Sequence, residues 1–317
     1  MNYKKFCKLW IMCVLLTLLF GGVLLRFICG PQYMYDYNAA IRDKIDRLRG
    51  IESPKIILVG NSNVAFGIHS DIIEKKIKMP VVNLGLHGGL GTRFHENIAK
   101  FNVGQGDLVI LLHSDYRQES ISDYNLAWIT VEFDSRLWKL IDFNEYLGMI
   151  KAYPTYLTKA LKRWILGQGK REVCDSCYHR YAFNKYGDVY FKPTKEEFNI
   201  DEFFKNNLVE LPCFDDLFVD RINELCDYVK EKKAYLAIAA YPIAYGKYTK
   251  FKLNDIKAFE YRLRNRVRCQ VISNFENYLL PYDFFYDTTL HLNEKGAEYR
   301  TNLLVEDIIR WKKYMDL

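Results

Sequence analysis

The 317 residues contain no low-complexity tract and no internal repeat, and because half of them are apolar and 15% aromatic, a disordered chain is excluded. No acid occurs in the first thirty residues, whose only charges are Lys4, Lys5, Lys8 and Arg26. Those four account for most of the net charge of +6, leaving 41 bases (45 less 4) against 39 acids in the rest of the chain. No concentrated basic face stands out there, so a nucleic-acid partner is not expected. No small-x-small site follows the uncharged run Leu9 to Leu25, and Arg26-Phe27-Ile28 before Cys29 does not suit lipoprotein processing.

Although a cleaved signal peptide would also begin with lysines, residues 1–30 are therefore expected to be an uncleaved signal anchor instead. Its seventeen uncharged residues are just enough to cross a bilayer. Basic residues stay on the cytoplasmic side, which places residues 31–317 outside the cytoplasm. Cys7, Cys13 and Cys29 lie in or beside the anchor, and the other five cysteines are an odd set: Cys174, Cys177, Cys213, Cys226 and Cys269. An oxidising compartment would let Cys174 and Cys177 close a small disulfide. A zinc site would need two further ligands near that CxxC, where only His179 stands, so no metal is expected.

Residues 31–50 read as a stalk helix closed by Gly50, with a domain beginning at 51. Lys55 to Val59 predicts a strand, Ser70 to Lys78 a helix, Val81 to Leu84 a strand, Thr92 to Phe101 a helix and Leu108 to Leu112 a third buried strand. Residues 116–212, dense in aromatics, read as an insertion. Helices at Asp215 to Lys232, Asn254 to Arg268 and Asn293 to Tyr314 then alternate with strands at Ala234 to Ala240 and Gln270 to Phe275. Apolar strands alternating with helices predict an α/β fold in three α/β/α layers around a mainly parallel sheet. The aromatic residues Trp128, Trp138, Tyr153, Tyr156 and Trp164 would stack on sugar rings, sit against lipid headgroups, or form ordinary core.

In such sheets ligands bind at the carboxyl ends of the strands. Gly60-Asn61-Ser62-Asn63, Asn83 to Gly89, and His113-Ser114-Asp115 all fall there, and Tyr286 to Gly296 precedes the last helix. Ser62 on a tight turn is the candidate nucleophile, His291 its base, and Asp287 the group that orients the base. The backbone N–H groups of Ser62 and Gly85, with the Asn63 side chain, are candidate oxyanion donors. Asn61, His87, His113 and Asp115 are candidates to line the cleft, whereas His69, His95 and His179 suit structural or solvated positions.

The stretches GNSNVAFG, VVNLGLHGGLG and YDTTLHLNEKGAEYRT resemble the serine, glycine and histidine blocks of the SGNH (GDSL-like) hydrolases, in that family's order and over about a tenth of the chain. They are most similar to a membrane-anchored bacterial branch linked to surface polysaccharides. The resemblance implies Ser62 as nucleophile, Gly85 as oxyanion donor, and Asp287 with His291 as the other triad members. It also implies ester chemistry without a cofactor, an acylated carbohydrate substrate, an inner-membrane location and a membrane-bound acyltransferase as partner. Two positions depart from the family pattern: His113-Ser114-Asp115 stands where a Gly-x-Asn-Asp turn is usual, and Asp287 lies four rather than three residues before His291. A catalytically degenerate, anchored protein that binds glycan or an assembly partner is the alternative expectation.

Overall fold

The short apolar runs do form a sheet. The computed structural model describes residues 3–114, 116–117, 119–132, 134–170, 176–190, 192 and 199–315. Helix α1 (Tyr3–Cys29) is followed by α2 (Ala40–Gly50), β1 (Ile56–Val59), α3 (Ser62–Phe66), α4 (Ser70–Ile77) and β2 (Val81–Asn83). After these come α5 (Thr92–Ala99), β3 (Leu108–Leu111), α6 (Tyr124–Val131), α7 (Tyr146–Ile165) and α8 (Ile200–Asn206). The chain closes with α9 (Asp216–Glu231), β4 (Tyr235–Ile238), β5 (Ile243–Ala244), α10 (Leu253–Arg266), β6 (Gln270–Val271), β7 (Leu279–Leu280) and α11 (Glu294–Tyr314).

The fold is α/β. Five strands lie in the order β2-β1-β3-β4-β6 and every pairing is parallel, while β5 and β7 form a separate parallel pair. Because side chains alternate along a strand, each strand serves both faces. Ile57, Val59, Val82, Val109, Leu111, Leu236 and Ile238 pack with apolar residues of α2, α5, α9 and α10. Their neighbours Ile56, Leu58, Val81, Leu108, Ile110 and Ala237 pack with α4 and α11. This two-sided burial explains why the strands read as unbroken apolar runs. The first helix, α1, contains a 21-residue stretch, Tyr3–Val23, that is long and apolar enough to cross a membrane.

Two expected boundaries are corrected. Residues 40–50 are not a stalk: Ile41, Ile45 and Leu48, at helical spacing, are at most 1% exposed and join the core beside Val82. Each such side chain stabilises the fold by about 1.5–3 kcal/mol, and Arg47 Nε also donates to Val81 O at 3.0 Å. The domain therefore begins before residue 51. The 116–212 segment is no appendage either, since Tyr116, Leu137, Ala182, Val189 and Phe204 are buried in that same core. The expected Cys174–Cys177 ring involves Cys174, outside the described residues.

Lys44 of α2 is 2% exposed, and its Nζ donates to Asn83 O at 3.0 Å and Gly187 O at 2.5 Å. Burial pulls its pKa from 10.5 down to about 7, against the opposing pull of Asp188 and Asp43. Between those two values the unfolded chain keeps a proton that the folded chain has lost, so stability rises with pH across this window. The contribution approaches about 1.4 kcal/mol per pH unit. Urea unfolding of the detergent-solubilised chain from pH 7 to 10 should show this rise in the parent and not in Lys44→Met. Parallel pH curves would remove Lys44 as its source.

Candidate active site

Ser62 opens α3, a five-residue helix too short to persist without help. The turn from β1 into it requires glycine at 60, where a Cβ would lie 2.6 Å from Val64 Cγ2 and 3.0 Å from Leu112 O. Asn61 caps the helix, its Oδ1 accepting from Asn63 N at 3.2 Å. The helix's last four carbonyls would be orphaned, yet each has a donor from another part of the chain. Arg300 donates to Asn63 O at 2.7 Å and Asn83 Nδ2 to Val64 O at 3.0 Å. Val189 N donates to Ala65 O at 2.8 Å and Lys192 Nζ to Phe66 O at 2.6 Å. Ser62 is thus presented by a backbone tied down from four directions.

His291 and Asp287 arrive on a loop between Tyr286 and His291, closed by a Tyr286 N to His291 O bond of 2.8 Å. Within it Thr288 Oγ1 accepts from the N–H groups of Leu290 and His291, at 3.2 and 2.9 Å. The loop sets His291 Nε2 2.8 Å from Ser62 Oγ and His291 Nδ1 2.8 Å from Asp287 Oδ1. The His291 and Asp287 side chains are only 8% and 5% exposed. A carboxylate accepts only, so the proton sits on Nδ1 and Nε2 is left to accept from the serine hydroxyl. Phe66, one turn after Ser62, stacks flat on the imidazole with centroids 4.1 Å apart and planes 4° from parallel. Ser62 and the His291 ring are held against each other by one short helix.

Tyr178, from the inserted segment, completes the cluster. Its hydroxyl donates to Asp287 Oδ2 and lies 3.3 Å from His291 Nδ1. Burial first, then the bond to the Asp287 carboxylate, push the Tyr178 pKa above its ordinary value, so the hydroxyl stays a donor. Both carboxylate oxygens of Asp287 are therefore engaged, and rotation of the carboxylate would break one bond or the other.

The expected oxyanion donors need correction. The Asn63 side chain is fully buried: its Nδ2 donates to Asn61 Oδ1 and to Leu112 O at 3.0 Å, and its Oδ1 accepts from Arg300 at 2.9 Å. It braces α3 and cannot reach a substrate. Gly85 N–H is spent on Asn83 Oδ1 at 2.8 Å, and the glycine is needed because a Cβ would meet Ala65 N at 2.5 Å. His113 is drawn away from the cleft into a buried cluster, its Nε2 3.0 Å from Glu96 Oε1, which also accepts from Arg221 through Oε2 at 2.9 Å. Asp115 lies outside the described residues.

Two of the cleft expectations stand at the surface. His87 is exposed, with Nδ1 accepting from Gly89 N at 3.0 Å. Asn61 is half-buried, and its Nδ2 donates to Ser114 Oγ at 2.6 Å with a second N–H on the same amide. Gly88 lies alongside, where a Cβ would sit 3.5 Å from Asn61 Nδ2. Among the described residues the Ser62 N–H has no acceptor. Sequence reasoning missed Tyr178, Phe66 and Arg300, and placed Asn83 at a strand end without giving it a role. For Asn83 the signal was a polar residue ending a buried strand, and for Arg300 a charge on the apolar face of α11.

No family model, curated protein or solved structure matches the chain.

Proposed function

We propose that the chain is a serine esterase or O-acyltransferase of SGNH type, a three-layer α/β/α domain held by α1 on the outer side of a bacterial inner membrane. The observation that carries the reading is the unbroken chain of two 2.8 Å contacts from Ser62 Oγ through His291 to Asp287. Such a chain is suited to making a neutral hydroxyl nucleophilic at pH 7.

In this reading His291 Nε2 takes the Ser62 proton as Oγ attacks an acyl carbonyl. The developing oxyanion is met by the Ser62 N–H and by the second N–H of the Asn61 amide, in place of Asn63 and Gly85. His291 then returns the proton to the departing alcohol oxygen, leaving an acyl group on Ser62. Water resolves that ester in hydrolysis, and a sugar hydroxyl does so in transfer. The acylated surface carbohydrate, and a membrane-bound acyltransferase that would supply or share it, follow from the resemblance of the three sequence blocks.

A fluorophosphonate probe tests the nucleophile directly. The full-length protein should be labelled at Ser62, as read by peptide mass spectrometry, and heat-unfolded protein should not. If the folded chain resists the probe, the site does not activate its serine, and the non-catalytic, glycan-binding alternative takes its place.

A further inference from the structure

Helix α7 carries an apolar stripe on its outer side. Leu147, Ile150, Pro154, Leu157, Leu161 and Ile165 follow one another at steps of three and four residues, which is one face of a helix. Leu147, Ile150 and Ile165 are 62%, 67% and 68% exposed. Its opposite face is different in kind: Met149, Tyr156 and Ala160 are each 1% exposed, and Trp128 of α6 stacks on the Tyr156 ring at 5.4 Å. Exposed Lys151 and Lys162 border the stripe along one edge.

The position of α7 says what covers that face. Tyr153 Oη donates to Gly22 O at 3.4 Å, and a Cβ on Gly22 would lie 3.6 Å from the Tyr153 ring. Gly22 stands at the C-terminal end of the apolar stretch Tyr3–Val23. A second tie follows ten residues on in both segments, where Arg163 Nε donates to Gln32 O at 3.1 Å and its guanidinium lies 4.5 Å from the Tyr33 ring centroid. The helix is therefore fastened to α1 at the level where the chain leaves its apolar stretch.

We propose that the N-terminal part of α7 enters the outer leaflet of the same bilayer that α1 crosses, with Leu147, Ile150 and Pro154 facing its acyl chains. The proposal rests on reading α1 as the membrane span. Aliphatic residues facing lipid beside lysines whose stems can reach toward the headgroups are the arrangement that binds such a surface. A second attachment beside the anchor fixes how the domain stands on the membrane. Tyr37, soon after the anchor, packs on Phe66 and Tyr178 with centroids 6.3 and 6.0 Å apart, so the orientation is passed on to the residues around His291.

The test uses the full chain reconstituted in phosphatidylethanolamine–phosphatidylglycerol vesicles, with a benzophenone side chain introduced by Leu147→benzoylphenylalanine or Ile150→benzoylphenylalanine. The same replacement at Leu16 in α1 and at Tyr261, 72% exposed on α10, gives the two references. After irradiation, lipid attached at 147 and 150 should come within about threefold of that at 16 and exceed that at 261 by about tenfold or more. Lipid labelling at 16 with 147 and 150 no higher than 261 would overturn the proposal and leave the anchor intact. Crosslinks from 147 and 150 into a second copy of the chain would overturn it too, in favour of a protein interface. No lipid at position 16 would instead remove the anchor on which the proposal stands.

Discussion

Ser62→Ala should lower kcat/KM for hydrolysis of a small acetyl ester by about 10⁶-fold, and His291→Ala should do nearly the same. The reason is that neither residue acts alone. In the proposed mechanism Ser62 Oγ gains nucleophilicity only as its proton passes to His291 Nε2, 2.8 Å away, and His291 has no other proton to take in that step. The double variant Ser62→Ala/His291→Ala should therefore be no worse than either single one. Whatever rate remains would reflect the Ser62 and Asn61 donors acting on water attack. The comparison needs only initial rates on one chromogenic acetyl ester. Additive losses would mean that the two side chains contribute separately, and the 2.8 Å contact would then have no catalytic meaning.

Ser62 was legible in sequence as a candidate because its turn follows a recognisable strand, and Asp287 and His291 because they stand just before the last helix in a stretch that resembles a known histidine block. The Ser62 N–H was legible as a candidate oxyanion donor too, but the inward turn of Asn63 and the pairing of the Gly85 N–H were not, because direction is set by packing rather than by residue type. Asn63 follows Ser62 by one position, but the first turn of α3 rotates its side chain inward, where Arg300 from α11, 237 residues away in sequence, fastens it. The place of Gly85 after the second strand and the family resemblance point to a donor; here the glycine admits the backbone of α3. For α2 the apolar stripe Ile41, Ile45, Leu48 was visible, but the charges between these residues suggested a solvated stalk. Nothing periodic marked the segment around Tyr178, Val189 and Lys192, which reaches the site through hydrogen bonds in irregular backbone.

Asp287→Asn should lower kcat by about 10⁴-fold at neutral pH while leaving KM little changed. Asp287 accepts two hydrogen bonds, from His291 Nδ1 at 2.8 Å and from the Tyr178 hydroxyl. An asparagine offers one acceptor and one NH₂ group, so it can satisfy only one of these donors as they stand. If its NH₂ faces His291, Nδ1 must become an acceptor and the ring proton moves to Nε2, where it faces Ser62 Oγ and blocks proton transfer. If its oxygen faces His291, the tautomer survives, but the Tyr178 O–H must turn away and no negative charge steadies the imidazolium formed during attack. Either route costs the same step, the one in which charge develops on His291. Tyr178→Phe removes only the outer bond, leaving Asp287 charged and still against Nδ1, and should cost about tenfold in kcat, as expected for one hydrogen bond to a charged group. Steady-state kinetics of Asp287→Asn, Tyr178→Phe and their combination would decide it. A loss below tenfold in Asp287→Asn, with the fold intact, would show that the carboxylate does not govern His291, and the triad would reduce to a serine–histidine pair.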